Sequence, residues 1–169
     1  MKARQRRYFL KDKETKALLT KASGKFKISL GQIFKEKTGF EVVEADFGDI
    51  LLVNGKPLMF KIGEEVFPTL VFEEFLAMAP KIIVDMGAVP YVCKGANIMA
   101  PGIRRYEGDF EEGDIVLVLD EKHGKAIAVG QSLLSSENAK NAKQGSTVKN
   151  IHFVSDNIWK FIKQFTHQE

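Results

Sequence analysis

The side chains that could do chemistry in this chain are few and far apart. The three histidines, His123, His152 and His167, share no recurring spacing, and the single cysteine, Cys93, has no histidine near it in sequence. A nucleophilic thiol needs a base or a cation beside it, so Cys93 is expected to be buried and inert. His152 adjoins Phe153 in an apolar run and is expected to be packed rather than reactive. Zinc requires several Cys or His ligands at short spacing, and none is offered. No GxxxxGK[ST] or GxGxxG loop is present to cradle a phosphate. Asp85 fits a helix cap better than a general base. These residues predict no enzyme, no metal and no cofactor.

A different kind of chemistry is available in Val84-Asp85-Met86-Gly87-Ala88-Val89-Pro90-Tyr91-Val92-Cys93-Lys94-Gly95-Ala96-Asn97-Ile98-Met99-Ala100-Pro101-Gly102-Ile103. A strand ends at Asp85, and a short helix is predicted over about Ala88 to Lys94. Gly87 and Gly95 bracket it, and Pro90 is tolerated because it lies in the first turn. Asp85 is placed to cap the helix start, and Gly95 to supply a left-handed end. Gly95-Ala96 carries so little side-chain bulk that another backbone could approach closely. Pro101-Gly102 fits the centre of a type II turn. Glycines at helix ends also serve the fold alone, so a purely structural account of Gly87 and Gly95 stays open.

The elements around this stretch follow from periodicity. Arg6 to Leu10 reads as a strand, Lys11 to Ser23 as a helix stopped at Ser23-Gly24, and Ile28 to Lys37 as a second helix ended by Gly39. The period then changes to that of strands at Phe40 to Ala45, Asp49 to Val53 and Pro57 to Ile62. Asn54-Gly55 is a hairpin signal, because both residues tolerate positive φ. Pro68-Thr69-Leu70 is expected to start a helix that Pro80 closes. Strands are predicted at Lys81 to Val84, Asp114 to Leu119, Ala126 to Gly130 and Asn150 to Val154, a spacing that suits a small barrel. Ser135 to Lys143 reads as a polar helix, and Asp156 to Phe165 as a last one bearing Ile158, Trp159, Ile162 and Phe165. The fold class is therefore α+β, with a domain at 1–79 and another at 80–169.

Composition and charge set the remaining bounds. The chain is 44% hydrophobic and 28% charged, which suits a folded, soluble protein. No apolar run follows the basic start, so no signal peptide is expected, and Val66 to Pro80 is too short for a bilayer. The lone cysteine suits a reducing compartment, and the cytoplasm is the default. Net charge is +3, with ten Lys or Arg in residues 1–30 against Asp12 and Glu14, whereas residues 80–169 hold eleven of each sign. A basic arm at Arg4, Arg6 and Arg7 is thus a candidate phosphate contact, with a solvated helix face as the alternative.

The pattern Asp-x-Gly-Ala, a short helix, then Gly-Ala-x-x-x-x-Pro-Gly-Ile resembles the hallmark of PUA domains, the small pseudo-barrels of RNA-modifying enzymes and translation proteins. Lys94 to Gly102, Asn150-Ile151-His152-Phe153 with Trp159, and Val53-Asn54-Gly55 followed by Phe67-Pro68-Thr69-Leu70 are similar to the malignant T-cell amplified sequence 1 family, related to the front half of ligatin. The resemblance runs from about residue 50 to 162. It implies an α+β pre-PUA domain before a PUA pseudo-barrel, and binding to the small ribosomal subunit in initiation or recycling.

Carried onto this sequence, the RNA surface of PUA domains falls on Gly87, Ala88, Lys94, Gly95, Ala96 and Asn97, with Arg104 and Arg105 beyond the Pro-Gly turn. Small residues would let a sugar-phosphate backbone reach exposed amides, Asn97 could clamp a base edge, and the arginine forks suit phosphate. Arg104 and Arg105 also precede the acidic run Glu107 to Asp114, so internal ion pairing competes. The function implied is non-catalytic RNA binding in translation, with tRNA or small-subunit rRNA as partner and a translation-factor protein as a second. Two other readings compete: an RNA-binding accessory of a modification enzyme, and a protein-interaction adaptor docking through the Phe-rich segment Leu70 to Met78 or the Trp159 helix.

Overall fold

Each half of the sequence builds its own sheet. A computed structural model of the chain describes residues 6–35 and 37–166; Arg4 and His167 lie outside the described residues. The chain divides into two units, Met1–Phe75 and Leu76–Glu169.

The first unit carries an antiparallel sheet of β1 (Arg7–Phe9), β2 (Phe40–Ala45), β3 (Gly48–Val53), β4 (Lys56–Ile62) and β5 (Glu65–Pro68), in that order. Asn54 and Gly55 turn β3 into β4 at φ of 50° and 81°, as the Asn-Gly signal predicts. Helix α1 (Asp12–Phe26) does not stop at Ser23-Gly24 but runs on to Lys27, whose φ is 55°. Burial of Phe26 holds the extra turn, and the Ser23 hydroxyl is used instead as an acceptor for the Leu30 amide at 3.1 Å. The second helix shrinks to α2 (Leu30–Ile33), because Phe34 turns extended and packs its ring 5.5 Å from Phe40 and 5.8 Å from Phe72.

Pro68 starts no helix. It ends β5, an edge strand where a missing N–H costs nothing, and Thr69 is bound to β4 through both its amide (to Leu58 O, 2.9 Å) and its hydroxyl (to Pro57 O, 2.8 Å). Helix α3 (Glu73–Met78) begins five residues later than Pro68. Phe72 and Phe75 are buried, with Phe75 5.2 Å from Phe26, so the phenylalanines of this segment fill a core rather than face a partner.

The second unit carries β6 (Lys81–Val84), β7 (Ile98–Met99), β8 (Ile103–Glu107), β9 (Ile115–Asp120), β10 (Ala126–Ser132) and β11 (Ser146–Phe153). They form one curved sheet in the order β7-β11-β10-β9-β6-β8, antiparallel except for the β6–β9 pair. Ile82, Val84, Val116, Val118, Ile127 and Val148 point into its concave side, and Val92 of α4 (Val89–Val92) and Ala139 of α5 (Ser136–Asn141) join that core. The Ser135 hydroxyl caps α5 by accepting from Asn138 N at 3.2 Å. Asp156 does the same for α6 (Asn157–Thr166), accepting from Trp159 N at 2.7 Å. The sheet is the half-barrel of a PUA-type fold, and the chain is α+β throughout. No helix among the described residues is long and apolar enough to cross a membrane.

Candidate nucleic-acid interface

Helix α4 lies against the half-barrel with Val92 buried and Ala88, Val89 and Cys93 partly so. Pro90, Tyr91 and Lys94 are left on its outer side, all exposed. Its start is set by Asp85, whose side chain accepts from the Ala88 amide at 2.8 Å. Gly102 must be small for this seating, because a Cβ there would lie 3.2 Å from that of Ala88. Pro101-Gly102 is not a type II turn: residues Ala100–Gly102 form a single 3-10 turn, and Gly102 lacks the positive φ that type II requires.

At the other end of α4, Gly95 takes φ 98° and reverses the chain, and the Lys94 and Ala96 amides both reach Tyr91 O at 3.1 Å. Gly95 has a second reason to be glycine: an added Cβ would meet the Phe153 ring at 3.2 Å. The close approach foreseen for a ligand backbone is, on that side, made by the protein's own ring. The outer side stays open, since Gly87 and Lys94 through Asn97 are all exposed.

Asn150 holds this shoulder in place. Its Nδ2 donates to Val92 O and Ala96 O, both at 3.0 Å, and its backbone amide donates to the Asn97 side-chain oxygen at 3.1 Å. Asn97 thus commits one lone pair of its oxygen to the fold and keeps its NH2 and the other lone pair for a ligand.

The cations differ in availability. Arg104 Nε lies 3.2 Å from Glu121 Oε2, and Glu121 Oε1 also accepts from the Met86 amide at 3.3 Å, which brings Arg104 beside the start of α4. Arg105 pairs with Glu107 at 3.3 Å. Neither Lys94 nor Lys149 has an ion-pair partner among the described residues. Lys149 precedes Asn150 directly and is exposed. In the first unit, Arg7 forms a two-pronged pair with the buried Glu41, one arm at 3.0 Å, and Arg6 lies 3.7 Å from Glu44. These two arginines are stitched across β1 and β2. The hydrogen bond to Glu41 raises the Arg7 pKa further above its ordinary value.

Among the described residues, Cys93 and His152 do not come together as a catalytic pair would. Burial pushes the Cys93 thiol up, away from the reactive thiolate. His152 is fully buried, with Nδ1 2.8 Å from the carboxylate of Asp156. Among the described residues, no group of three or more His, Cys, Asp or Glu is placed to hold a metal.

A model of the PUA domain matches residues 80–154, the whole half-barrel with α4. A second, described as a domain of unknown function (DUF1947), matches residues 6–72. Uncharacterized protein MJ1432 of Methanocaldococcus jannaschii is 35% identical over 158 residues, 93% of this chain and 97% of that protein. Translation machinery-associated protein 20 of Saccharomyces cerevisiae is 30% identical over 154 residues, 86% of this chain and 85% of its own. The chain belongs to the PUA-domain family of translation machinery-associated protein 20 and malignant T-cell-amplified sequence 1. The chain is also similar to the crystal structure of hypothetical protein PH0734.1 of Pyrococcus horikoshii OT3. Its TM-score is 0.78 at 32% identity, covering 93% of this chain and 99% of that one.

Membership in the PUA family implies RNA binding. It also explains a signal that local reading left as resemblance alone: Asn150 and Phe153, in the Asn-Ile-His-Phe motif, are the residues that brace the α4 shoulder. The neighbours Lys149 and Glu121 were not singled out from the sequence, because nothing local ties them to α4.

Proposed function

We propose that this protein is a non-catalytic RNA-binding factor of translation that holds tRNA or small-subunit rRNA against the α4 shoulder. The observation that carries the reading is that shoulder: a side-chain-poor surface over Gly87-Ala88 and Lys94 to Asn97, braced from behind by Asn150 and Phe153 and edged by lysines with no ion-pair partner among the described residues. Such a surface admits a sugar-phosphate backbone to peptide groups, and Lys94 and Lys149 supply the charge. Arg104 and Arg105 contribute after exchanging their carboxylate partners for phosphate. Arg6 and Arg7, tied to the sheet of the other unit, serve less well as a free arm. The name of the yeast relative supports the assignment to translation.

The test is sedimentation of cell extract through a gradient, followed by direct binding of purified tRNA and small subunits. The protein is expected to travel with small subunits at low salt and to leave them as salt rises. A protein confined to the top of the gradient that also fails to bind either RNA would overturn the proposal.

A further inference from the structure

A cleft of about 340 Å³ opens between helix α1 and the sheet of the first unit, within the range of roughly 300–1,000 Å³ that small-molecule sites occupy. Strand register builds its floor. Tyr8, Val42 and Leu51 lie side by side across β1, β2 and β3, and Asp49, Lys61 and Val66 form the next row across β3, β4 and β5. Glu14, Ala17, Leu18 and Lys21, at helical spacing on one side of α1, form the facing wall. Val42, Leu51 and Val66 are buried, whereas Ala17 is exposed, so the helix shelters the sheet here without filling the space.

The charges around this cleft do not all find partners. Glu44, opposite Asp49 in register, lies 3.7 Å from Arg6, and Glu64 lies 3.9 Å from Lys61. Lys21 donates to the Glu64 carbonyl, and Glu14 accepts from the Lys11 amide at 3.4 Å. Asp49 is half-buried and makes no hydrogen bond or ion pair among the described residues; the Tyr8 hydroxyl makes no hydrogen bond there either. Burial and Glu44 push the Asp49 carboxyl up, with Lys61 opposing. An ionised carboxylate that burial disfavours and no internal bond satisfies is complemented by a cation from outside. A metal ion is a poor match, because no group of three or more His, Cys, Asp or Glu is placed to hold one among the described residues. An anion would meet Glu14, Asp49 and Glu64 against two lysines that already have acceptors.

We infer that this cleft binds an organic cation, an ammonium or guanidinium group on an apolar stem, with the charge at Asp49 and the stem along Leu18, Val42 and Leu51. The Tyr8 hydroxyl can accept a further N–H from the same group. A free amine and the side chain of a lysine or arginine share this chemistry. The inference is independent of the RNA-binding reading, which concerns the second unit.

The experiment titrates the full chain with hexylammonium, hexanol and hexanoate, which share a stem and differ in charge, and follows backbone amides by heteronuclear NMR. Hexylammonium is expected to shift the amides of Leu18, Asp49 and Leu51 and to bind roughly tenfold more tightly than hexanol, with hexanoate weakest. Asp49→Asn should weaken hexylammonium by roughly ten- to a hundredfold and spare hexanol. Ala17→Leu, at an exposed helical position, should block hexylammonium and hexanol alike by filling the space. N-acetyl-lysine methylamide separates the sources: binding like that of hexylammonium indicates a partner's side chain, and binding of hexylammonium alone a free amine. Thermal melting checks that both variants fold. The inference is overturned by hexanoate binding as tightly as hexylammonium, by equal binding of hexylammonium to Asp49→Asn or Ala17→Leu and the parent, or by no shift at the cleft amides.

Discussion

The backbone amide of Asn150 donates to the side-chain oxygen of Asn97 across 53 residues of sequence, at 3.1 Å. The same asparagine spans to Val92 O and Ala96 O, so one side chain on β11 fixes the end of α4 and the loop after it. Replacing Asn150 by Ala removes both side-chain bonds, leaving Val92 O with the Gly95 amide alone and taking the Asn150 donor from Ala96 O. The expected cost is about 1–3 kcal/mol in chemical denaturation, with RNA affinity falling as the loop loosens.

Gly95→Ala should be more costly than an exposed glycine suggests. A side chain at φ 98° is strained, and the new methyl would push on the Phe153 ring. A loss of about 1–3 kcal/mol is expected in denaturant titration, whereas Gly24→Ala, inside α1 with open space around it, should gain roughly 0.5–1 kcal/mol.

Lysines should outweigh arginines in the salt dependence of RNA binding. Lys94→Ala and Lys149→Ala are each expected to reduce the log–log salt slope by somewhat under one unit. Arg104→Ala should change it less, because that side chain must first leave Glu121. Glu121→Gln keeps the acceptor for Met86 N but releases Arg104, so affinity should rise by about two- to fivefold, the worth of one exposed ion pair. Filter binding over a series of salt concentrations measures all four variants.

Asp49 predicts a pH effect of definite sign. Burial, reinforced by Glu44, raises its carboxyl above the ordinary aspartate range, with Lys61 opposing. A folded-state pKa above the unfolded one means that ionised Asp49 destabilises the fold, a cost that grows as pH rises through that range and is absent below the unfolded value. Asp49→Asn should therefore melt about 1–3 °C higher than the parent near neutral pH, and match it in acid. A difference that widened on acidification would contradict this.

What the sequence made legible was local. Asn54-Gly55 announced its hairpin because two consecutive positive φ values suit few other residues, and Asp85 announced its cap because the bond spans three residues. The misreadings came where distant contacts overrode a local signal. Gly24 stays inside α1 because Phe26 beyond it is buried, and Pro68 stays in a strand because Thr69 is bound to β4. Arg105 found its partner two residues away at Glu107, within the acidic run expected to compete for it. Arg104 paired instead with Glu121, out of reach of any sequence window. The position of the short helix was written in its glycines, but its bracing by Asn150 and Phe153 depends on how β11 folds back.

Strand β11 has little tolerance for a change of length. Asn150 at its middle, Phe153 at its end and the Asp156 carboxylate just past it grip, in turn, the loop after α4, the Gly95 turn and the first turn of α6. Gly130 across the ladder leaves no slack, since a Cβ there would sit 2.3 Å from Val148 Cγ1. Adding or deleting one residue between Ser146 and Asn150 would invert the facing of every later residue in the strand, so that the bracing groups pointed to solvent while α4 lost its anchor. A one-residue insertion there is therefore expected to cost α4 its seat even where the rest of the sheet stays paired.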